Sequence, residues 1–165
     1  MTILNESIAG RIQNFGLDLN APAQSDLAPK DGMSYVQGPT VPPLAFATIP
    51  QLLRDAVSRY GPRDALVFQD HRLSYYDLDR AVDALATGFL ALGLEKGDRL
   101  GIWSPNRLEW VLTQFATARI GVVLVNINPA YRLSELEYAL NVVGCKALVL
   151  ARRFKSSDYL GMVRT

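Results

Sequence analysis

The sequence predicts an α/β fold, with a mostly parallel sheet and flanking helices over residues 44–165. From Ser74 onward, segments with helical periodicity alternate with short apolar segments rich in β-branched residues. Gly93, Gly121 and Gly144 each follow a helical segment and precede a strand-like one, as helix-ending glycines do. This alternation is typical of βαβ units with right-handed crossovers. Residues 1–43 carry five prolines and little periodicity, so they are predicted to be an irregular leader.

The composition limits the class of protein. The chain has 165 residues, 49% hydrophobic and 20% charged, which is the balance of a soluble globular protein. A net charge of +1 gives no strong field to attract a nucleic acid, so no nucleic-acid partner is predicted. The single cysteine, Cys145, fits a reducing compartment. No apolar run reaches the roughly 20 residues that a transmembrane helix needs, and no secretory signal is evident, so a cytoplasmic location is predicted.

The first ordered elements are predicted to be a helix and a hairpin. Thr48 is a plausible N-cap with Gln51 three residues later, and Gly61 ends the helix. Residues 65–69 and 72–73 then form two strands around a turn. The apolar face of the helix is predicted to consist of Leu52, Leu53, Ala56, Val57 and Tyr60.

A second helix and a strand follow the hairpin. Ser74 caps the helix with Asp77 at the capping-box position, and Gly93 ends it. A turn at residues 96–98 leads into a strand at residues 99–103. The apolar residues at helical spacing are Leu78, Ala81, Val82, Leu85, Phe89 and Leu92.

Two more helix–strand pairs complete the pattern. Pro105 suits the first turn of a third helix, which runs to about Ile120 and is apolar over most of its surface, so it should be largely buried. Residues 122–127 are typical of a central parallel strand. Ser134 is predicted to cap a fourth helix, with Glu137 at the box position, and the last strand covers residues 146–150 with no helix after it. The spacing of Trp103, Trp110, Phe115 and Tyr138 indicates core positions.

Motifs with a known chemistry are absent from the 165 residues. There is no G-x-x-x-x-G-K-[ST] phosphate loop, and no G-x-G-x-x-G follows a strand. One histidine and one cysteine, far apart, make neither a zinc site nor a Cys–His nucleophile. Asp70, His71 and Ser74 could suggest a catalytic triad, but a hairpin turn and a helix cap explain the same residue types and are favoured.

Three further features allow either a structural or a functional interpretation. Cys145 is favoured as a small buried hydrophobic residue. Arg152, Arg153 and Lys155 follow the last strand, where ligands gather in open α/β sheets, but a solvated face is favoured. Residues 104–106, Ser-Pro-Asn, occupy a similar position, and helix capping is favoured over ligand contact. No catalytic, cofactor-binding or metal-binding residue is therefore assigned.

Three stretches, read together, resemble the adenylate-forming (AMP-binding) superfamily, which includes acyl-CoA synthetases. Residues 73–78, L-S-Y-Y-D-L, look like its opening motif, and residues 97–110 join G-D-R-L-G-I to S-P-N and E-W. Residues 118–129, A-R-I-G-V-V-L-V-N-I-N-P, look like its second core motif, and residues 132–138 also fit. The match covers about residues 48–150 and looks closest to medium- and long-chain fatty-acyl-CoA ligases.

The resemblance implies the first part of the large N-terminal domain of such a ligase. The implied reaction joins a fatty acid to CoA in two steps with ATP and Mg²⁺, through an acyl-adenylate. In the family the glycine-rich phosphate loop and the C-terminal lysine lie downstream, and neither occurs in these 165 residues. The resemblance therefore carries over no catalytic residue, and the chain is expected to be an N-terminal fragment that is inactive alone.

Two alternatives to a ligase fragment remain open. The chain could be a non-catalytic scaffold or interaction module, or one half of a split ligase whose remainder is another chain. Nothing after residue 150 is expected to cover the sheet edge, which favours a truncated ligase. Exposed sheet edges and apolar helix faces also predict self-association when the chain is expressed alone.

Overall fold

The computed structural model describes residues 46–164, and the predicted leader at residues 1–43 lies outside them. The α/β prediction is confirmed. The helices are α1 (Ile49–Tyr60), α2 (Tyr75–Ala91), α3 (Leu108–Ile120), α4 (Leu133–Val143) and α5 (Tyr159–Val163). The strands are β1 (Asp64–Phe68), β2 (His71–Ser74), β3 (Arg99–Trp103), β4 (Val123–Ile127), β5 (Ala147–Leu150), β6 (Arg153–Phe154) and β7 (Ser157–Asp158). In the described part of the chain, no helix is long and apolar enough to cross a membrane.

The first two helices begin at the residues that the sequence predicts. The Thr48 hydroxyl accepts a hydrogen bond from the Gln51 backbone N–H at 3.3 Å. At α2, Ser74 Oγ accepts from the Asp77 N–H at 3.1 Å, and the Asp77 carboxylate accepts from the Ser74 N–H at 3.2 Å. Hydrogen bonds from Ser74 and Arg80 hold the pKa of Asp77 below its ordinary value. Both caps are confirmed, because capping depends only on local sequence.

The predicted starts of the third and fourth helices are wrong by two or three residues. Arg107 is extended, with φ −149° and ψ 164°, so α3 begins at Leu108 and Pro105 lies before it. The α4 helix begins at Leu133, so Ser134 lies inside its first turn. The carboxylate of Glu135 accepts the hydrogen bond of the Arg132 N–H at 2.7 Å, which takes the role assigned to Glu137.

The main sheet has three parallel strands in the order β4-β3-β5. Arg99 of β3 pairs with Val123 of β4, and Leu100 of β3 pairs with Ala147 of β5. The prediction that residues 122–127 form a central strand is wrong within the described residues, because β5 joins the far side of β3 and leaves β4 at an edge. Val123 is accordingly half exposed. The β1–β2 hairpin is antiparallel, as predicted.

Two apolar clusters lie on opposite faces of this sheet. Helices α2 and α3 pack on one face, and α4 packs on the other. The strand residues of the first cluster include Leu100, Leu124 and Val149, and those of the second include Trp103, Ile127 and Leu148. Neighbouring strand positions alternate between faces, which explains why Val149 and Leu148 belong to different clusters. The connections β3–α3–β4 and β4–α4–β5 therefore cross opposite faces of the sheet, the first from β3 to β4 and the second from β4 past β3 to β5.

The burial of most predicted core positions is confirmed, with several exceptions. Every residue of α3 except Glu109 is buried or half-buried. Tyr138 is 71% exposed because it lies two positions from both Leu136 and Leu140, on the opposite side of the helix. Leu92 is 76% exposed because α2 has already ended. Leu52 and Tyr60 are also exposed, although the predicted apolar face of α1 includes both.

Further structure follows β5, contrary to the prediction. Strands β6 and β7 form an antiparallel hairpin that leads into α5. The carboxylate of Asp158 caps this helix by accepting the Gly161 N–H at 3.2 Å, and Tyr159 at its start is fully buried. A helix of five residues is too short to show helical periodicity, so only its cap could have indicated it.

Two glycines give a matched test of packing. A Cβ on Gly101, in β3, would lie 3.0 Å from a methyl of Ile127, 3.1 Å from Leu140 and 3.2 Å from Leu148. Gly88 lies in α2, is exposed, and a Cβ there meets nothing within 4 Å. We expect Gly101→Ala to lower the free energy of unfolding by about 1–2 kcal/mol through overpacking. Gly88→Ala should raise it by about 0.5–1 kcal/mol through helix propensity.

Denaturant unfolding of the two variants measures this difference. Equal effects of the two substitutions would contradict the close approach of α4 to β3.

Candidate functional site

Three loops meet at one edge of the parallel sheet. Residues 104–106 follow β3, residues 128–129 follow β4, and residues 151–152 lie between β5 and β6. The carboxyl ends of parallel strands lie at the same edge, and the connections after β3 and β4 run in opposite directions over opposite faces of the sheet. Open α/β sheets bind ligands in the crevice outside the carboxyl ends of the strands, at such a switch point. This edge is therefore the candidate site, and we call it the crevice.

Two adjoining cavities form the crevice. The first, of about 390 Å³, lies between the ends of β3 and β5; the second, of about 690 Å³, lies between the ends of β3 and β4. Ser104 and Trp110 line both. The remaining residues of the first are Ile102, Arg107, Glu109, Val149, Leu150, Ala151, Arg152 and Arg153. Those of the second are Pro105, Asn106, Asn126, Ile127, Asn128, Pro129 and Phe154.

The first cavity is positively charged on balance. Arg107 forms two hydrogen bonds of 3.2 Å with the carboxylate of Glu109, and this contact lowers the pKa of Glu109 and raises that of Arg107. Arg152 and Arg153 are exposed at the cavity, and a guanidinium nitrogen of Arg153 lies 3.9 Å from the carboxylate of Asp158. The charges of Arg107 and Glu109 cancel. The guanidinium groups of Arg152 and Arg153 can therefore bind an anionic group such as a phosphate.

The second cavity is lined without a charged side chain. Three asparagines supply amide groups, and Trp110, Pro129 and Phe154 supply apolar surface. The side-chain oxygen of Asn128 accepts the backbone N–H of Ala130 at 2.9 Å, which shapes the turn after β4. The crevice therefore suits a ligand with phosphate at one end and an uncharged, hydrogen-bonding group at the other.

The structure alters the interpretation of the loop after β3. Ser104 does not cap α3; its hydroxyl donates to the Pro105 carbonyl at 2.9 Å, and Arg107 is the N-cap residue. The capping interpretation of residues 104–106 is therefore wrong, and all three residues line the second cavity instead. The helix starts too late for Ser104 to reach its first free N–H groups.

The basic cluster after β5 is exposed, as predicted, and two of its three residues line a cavity. Arg152 and Arg153 line the first cavity, whereas Lys155 lies over the ring of Phe154 at 5.4 Å. The less favoured interpretation, ligand contact at the strand ends, is thus compatible with two of the three residues. The sequence feature that indicates ligand contact is the position of these two arginines directly after a parallel strand.

The triad interpretation of Asp70, His71 and Ser74 has no support in the described residues. Ser74 is engaged with Asp77 as a helix cap, and His71 is an exposed residue at the start of β2. Cys145 is half-buried, less than predicted, and burial raises the pKa of its thiol. Among residues 46–164, no three His, Cys, Asp or Glu side chains come together as metal ligands.

Trp110 and residues 126–129 line the crevice, but they are not among the candidate site residues predicted from the sequence. The spacing of Trp110 indicates a core position, and residues 126–129 look like no more than the end of a strand. The rule that draws attention to residues 104–106 applies equally to residues 126–129, because both follow parallel strands.

Comparisons with known proteins identify what the chain is similar to. The family model described as AMP-binding enzyme matches residues 53–163. The human medium-chain acyl-CoA ligase ACSF2, mitochondrial, is 48% identical over 138 residues, which are 82% of this chain and 22% of that protein. The N-terminal domain of FACL13 from Mycobacterium tuberculosis, in an inhibitor-bound crystal structure, aligns with a TM-score of 0.60 at 28% identity, over 62% of this chain and 26% of that one.

A second solved structure has the same fold. The Klebsiella oxytoca NpsA N-terminal subdomain, in complex with anthranilyl-AMSN, aligns with a TM-score of 0.61 at 25% identity. The alignment covers 64% of this chain and 27% of that one. The chain therefore spans about a quarter or less of the length of the relatives that it matches.

Proposed function

Because the chain belongs to the family of AMP-binding enzymes, we propose that it forms the N-terminal part of an ATP-dependent fatty-acid–CoA ligase. The observation that carries this proposal is the likeness to the human medium-chain acyl-CoA ligase, which extends over most of this chain. The alignment with the N-terminal domain of FACL13 supports the same fold for the region. The proposed substrates are a fatty acid of medium chain length, ATP and CoA.

The proposed reaction has two steps. The fatty-acid carboxylate attacks the α-phosphate of ATP, which gives an acyl-adenylate and releases pyrophosphate. The thiol of CoA then attacks the acyl carbon, forms the thioester and releases AMP. Both ATP and CoA carry phosphates joined to an uncharged base, which is the kind of ligand that the crevice suits. We propose that Arg152 and Arg153 bind the phosphate of one of them.

Mg²⁺ is proposed as a partner of the reaction, but residues 46–164 do not fit it. Hard divalent cations take several oxygen ligands, and no cluster of three candidate metal-ligating side chains exists in this part of the chain. We therefore assign no Mg²⁺ ligand and no metal-dependent step to the described residues.

The product of the complete reading frame that encodes this chain provides the test. It is incubated with ATP, CoA and saturated fatty acids of 4 to 18 carbons, and AMP and acyl-CoA are quantified. We expect equal amounts of the two products and the highest rate with medium-chain acids. Omission of CoA should abolish the thioester. A protein that forms no thioester with any of these acids would contradict the proposal.

A further inference from the structure

We propose that Trp103 and Tyr159 are positioning residues. They hold the turn at Asn128 and Pro129 against the wall of the crevice and thereby set how tightly the crevice binds a phosphate-bearing ligand. The effect on binding rests on the proposed function, whereas the hold on the turn rests on the structure alone.

The two aromatic side chains bind consecutive carbonyls of the turn. Trp103 Nε1 donates a hydrogen bond to the Asn128 carbonyl at 3.2 Å, and the Tyr159 hydroxyl donates to the Pro129 carbonyl. The two rings are stacked, with centroids 3.6 Å apart and planes 9° from parallel. Both side chains are fully buried. The rings therefore orient each other, and both donors point at the same short segment.

The pair connects segments that are distant in sequence. Trp103 ends the central strand β3, the turn follows the edge strand β4, and Tyr159 begins α5. Phe154 of β6 packs against Tyr159 at 6.4 Å and also lines the second cavity. One side of that cavity is consequently built from the turn and from β6, and Tyr159 contacts both.

If Tyr159 only filled space in the core, its hydroxyl would not be needed. A phenylalanine at position 159 would fill the same space beside Trp103, so packing alone explains the ring and not the hydroxyl. A phenol is protonated at neutral pH with its ordinary pKa, and burial raises the pKa of Tyr159 further, so its hydroxyl can donate. Loss of that donor leaves the Pro129 carbonyl without this partner and frees one end of the turn.

The first experiment measures amide hydrogen exchange in the product of the complete reading frame. The variant is Tyr159→Phe, and the matched control is Tyr76→Phe, since Tyr76 is 51% exposed and lies on α2, which packs on the other face of the sheet. The reporters are the N–H groups of Ala130 and Tyr131, which donate to Asn128. We expect exchange at both to be about 5-fold faster in Tyr159→Phe and unchanged in the control.

The second experiment measures the kinetics of thioester formation with octanoate, ATP and CoA. In Tyr159→Phe we expect the KM of ATP or of CoA to rise by about 3- to 10-fold. The other phosphate-bearing substrate, octanoate and kcat should change by less than about twofold, because a looser wall weakens uniform binding. The substrate whose KM rises identifies which of the two binds in the crevice.

Each outcome decides one part of the proposal. Unchanged exchange at Ala130 and Tyr131 would overturn the hold on the turn. Faster exchange with all three KM values unchanged, or a higher KM for octanoate alone, would overturn the effect on a phosphate-bearing ligand. A wild-type protein without ligase activity would overturn the proposed function and with it the effect on binding, while the exchange data still decide the hold on the turn.

Discussion

Replacement of Trp103 by alanine should cause a much larger loss of stability than Gly101→Ala or Tyr159→Phe. The side chain is fully buried between the sheet and α5, stacks on Tyr159 and donates a hydrogen bond to Asn128. Truncation of a buried tryptophan leaves a large cavity, so we expect the free energy of unfolding to fall by about 3–5 kcal/mol. The packing of Tyr159 and of the turn after β4 should weaken with it.

Hydrogen exchange of the strand amides measures this loss directly. The amides of β3 report the free energy of opening this sheet even if other parts of the protein unfold separately. Trp110→Ala is the control, because Trp110 is only half-buried and lies at the surface of the crevice. If both substitutions cost the same, the second apolar cluster does not depend on Trp103.

Reversal of the two arginine charges after β5 should have the largest effect on activity. In the variant Arg152→Glu/Arg153→Glu, two carboxylates face the first cavity in place of two guanidinium groups. Loss of one charge-assisted hydrogen bond costs about 1.5–3 kcal/mol, so we expect the KM of ATP or of CoA to rise by about 10-fold or more, and by about 100-fold or more if both arginines bind the phosphate. The KM of the fatty acid should change much less.

The control for charge alone is Arg54→Glu/Arg59→Glu. These two arginines are exposed on α1 and do not line the crevice, yet their replacement changes the net charge by the same amount. An equal rise in KM for both double variants would mean that overall charge, and not the site, governs binding. An unchanged KM in Arg152→Glu/Arg153→Glu would remove the crevice from the proposed reaction.

Much of the fold could be predicted from the sequence because its signals are local. The caps at Thr48 and Ser74 depend on a side chain and an N–H three residues away. Gly121 and Gly144 end their helices in the left-handed conformation, with φ of 74° and 68°, which favours glycine. The bounds of β3 agree with the prediction because local signals delimit the strand as well: turn residues precede it and a helix follows it.

The order of the strands could not be predicted, because it depends on packing between distant segments. A β-branched strand followed by a helix fits either side of β3 equally well, and nothing near residues 122–127 indicates that β4 lies at an edge. The crevice depends on the same long-range choice, since its residues come together only once β4 and β5 flank β3. Tyr159 carries no local signal either, because its partners Trp103 and Pro129 lie 56 and 30 residues earlier.

The predicted cytoplasmic location stays a prediction. The word "mitochondrial" in the name of the human relative describes that protein, whose matched region is about a fifth of its length. Imaging of the product of the complete reading frame in its own cells would test it.

The central claim, activation of a fatty acid as its adenylate, is tested most directly by isotope exchange between pyrophosphate and ATP. The product of the complete reading frame is incubated with labelled pyrophosphate, ATP and octanoate in the absence of CoA, so that only the first step can occur. We predict label in ATP that depends on octanoate and is lost when octanoate is replaced by octanol, which has no carboxylate. No octanoate-dependent label in ATP would contradict the claim.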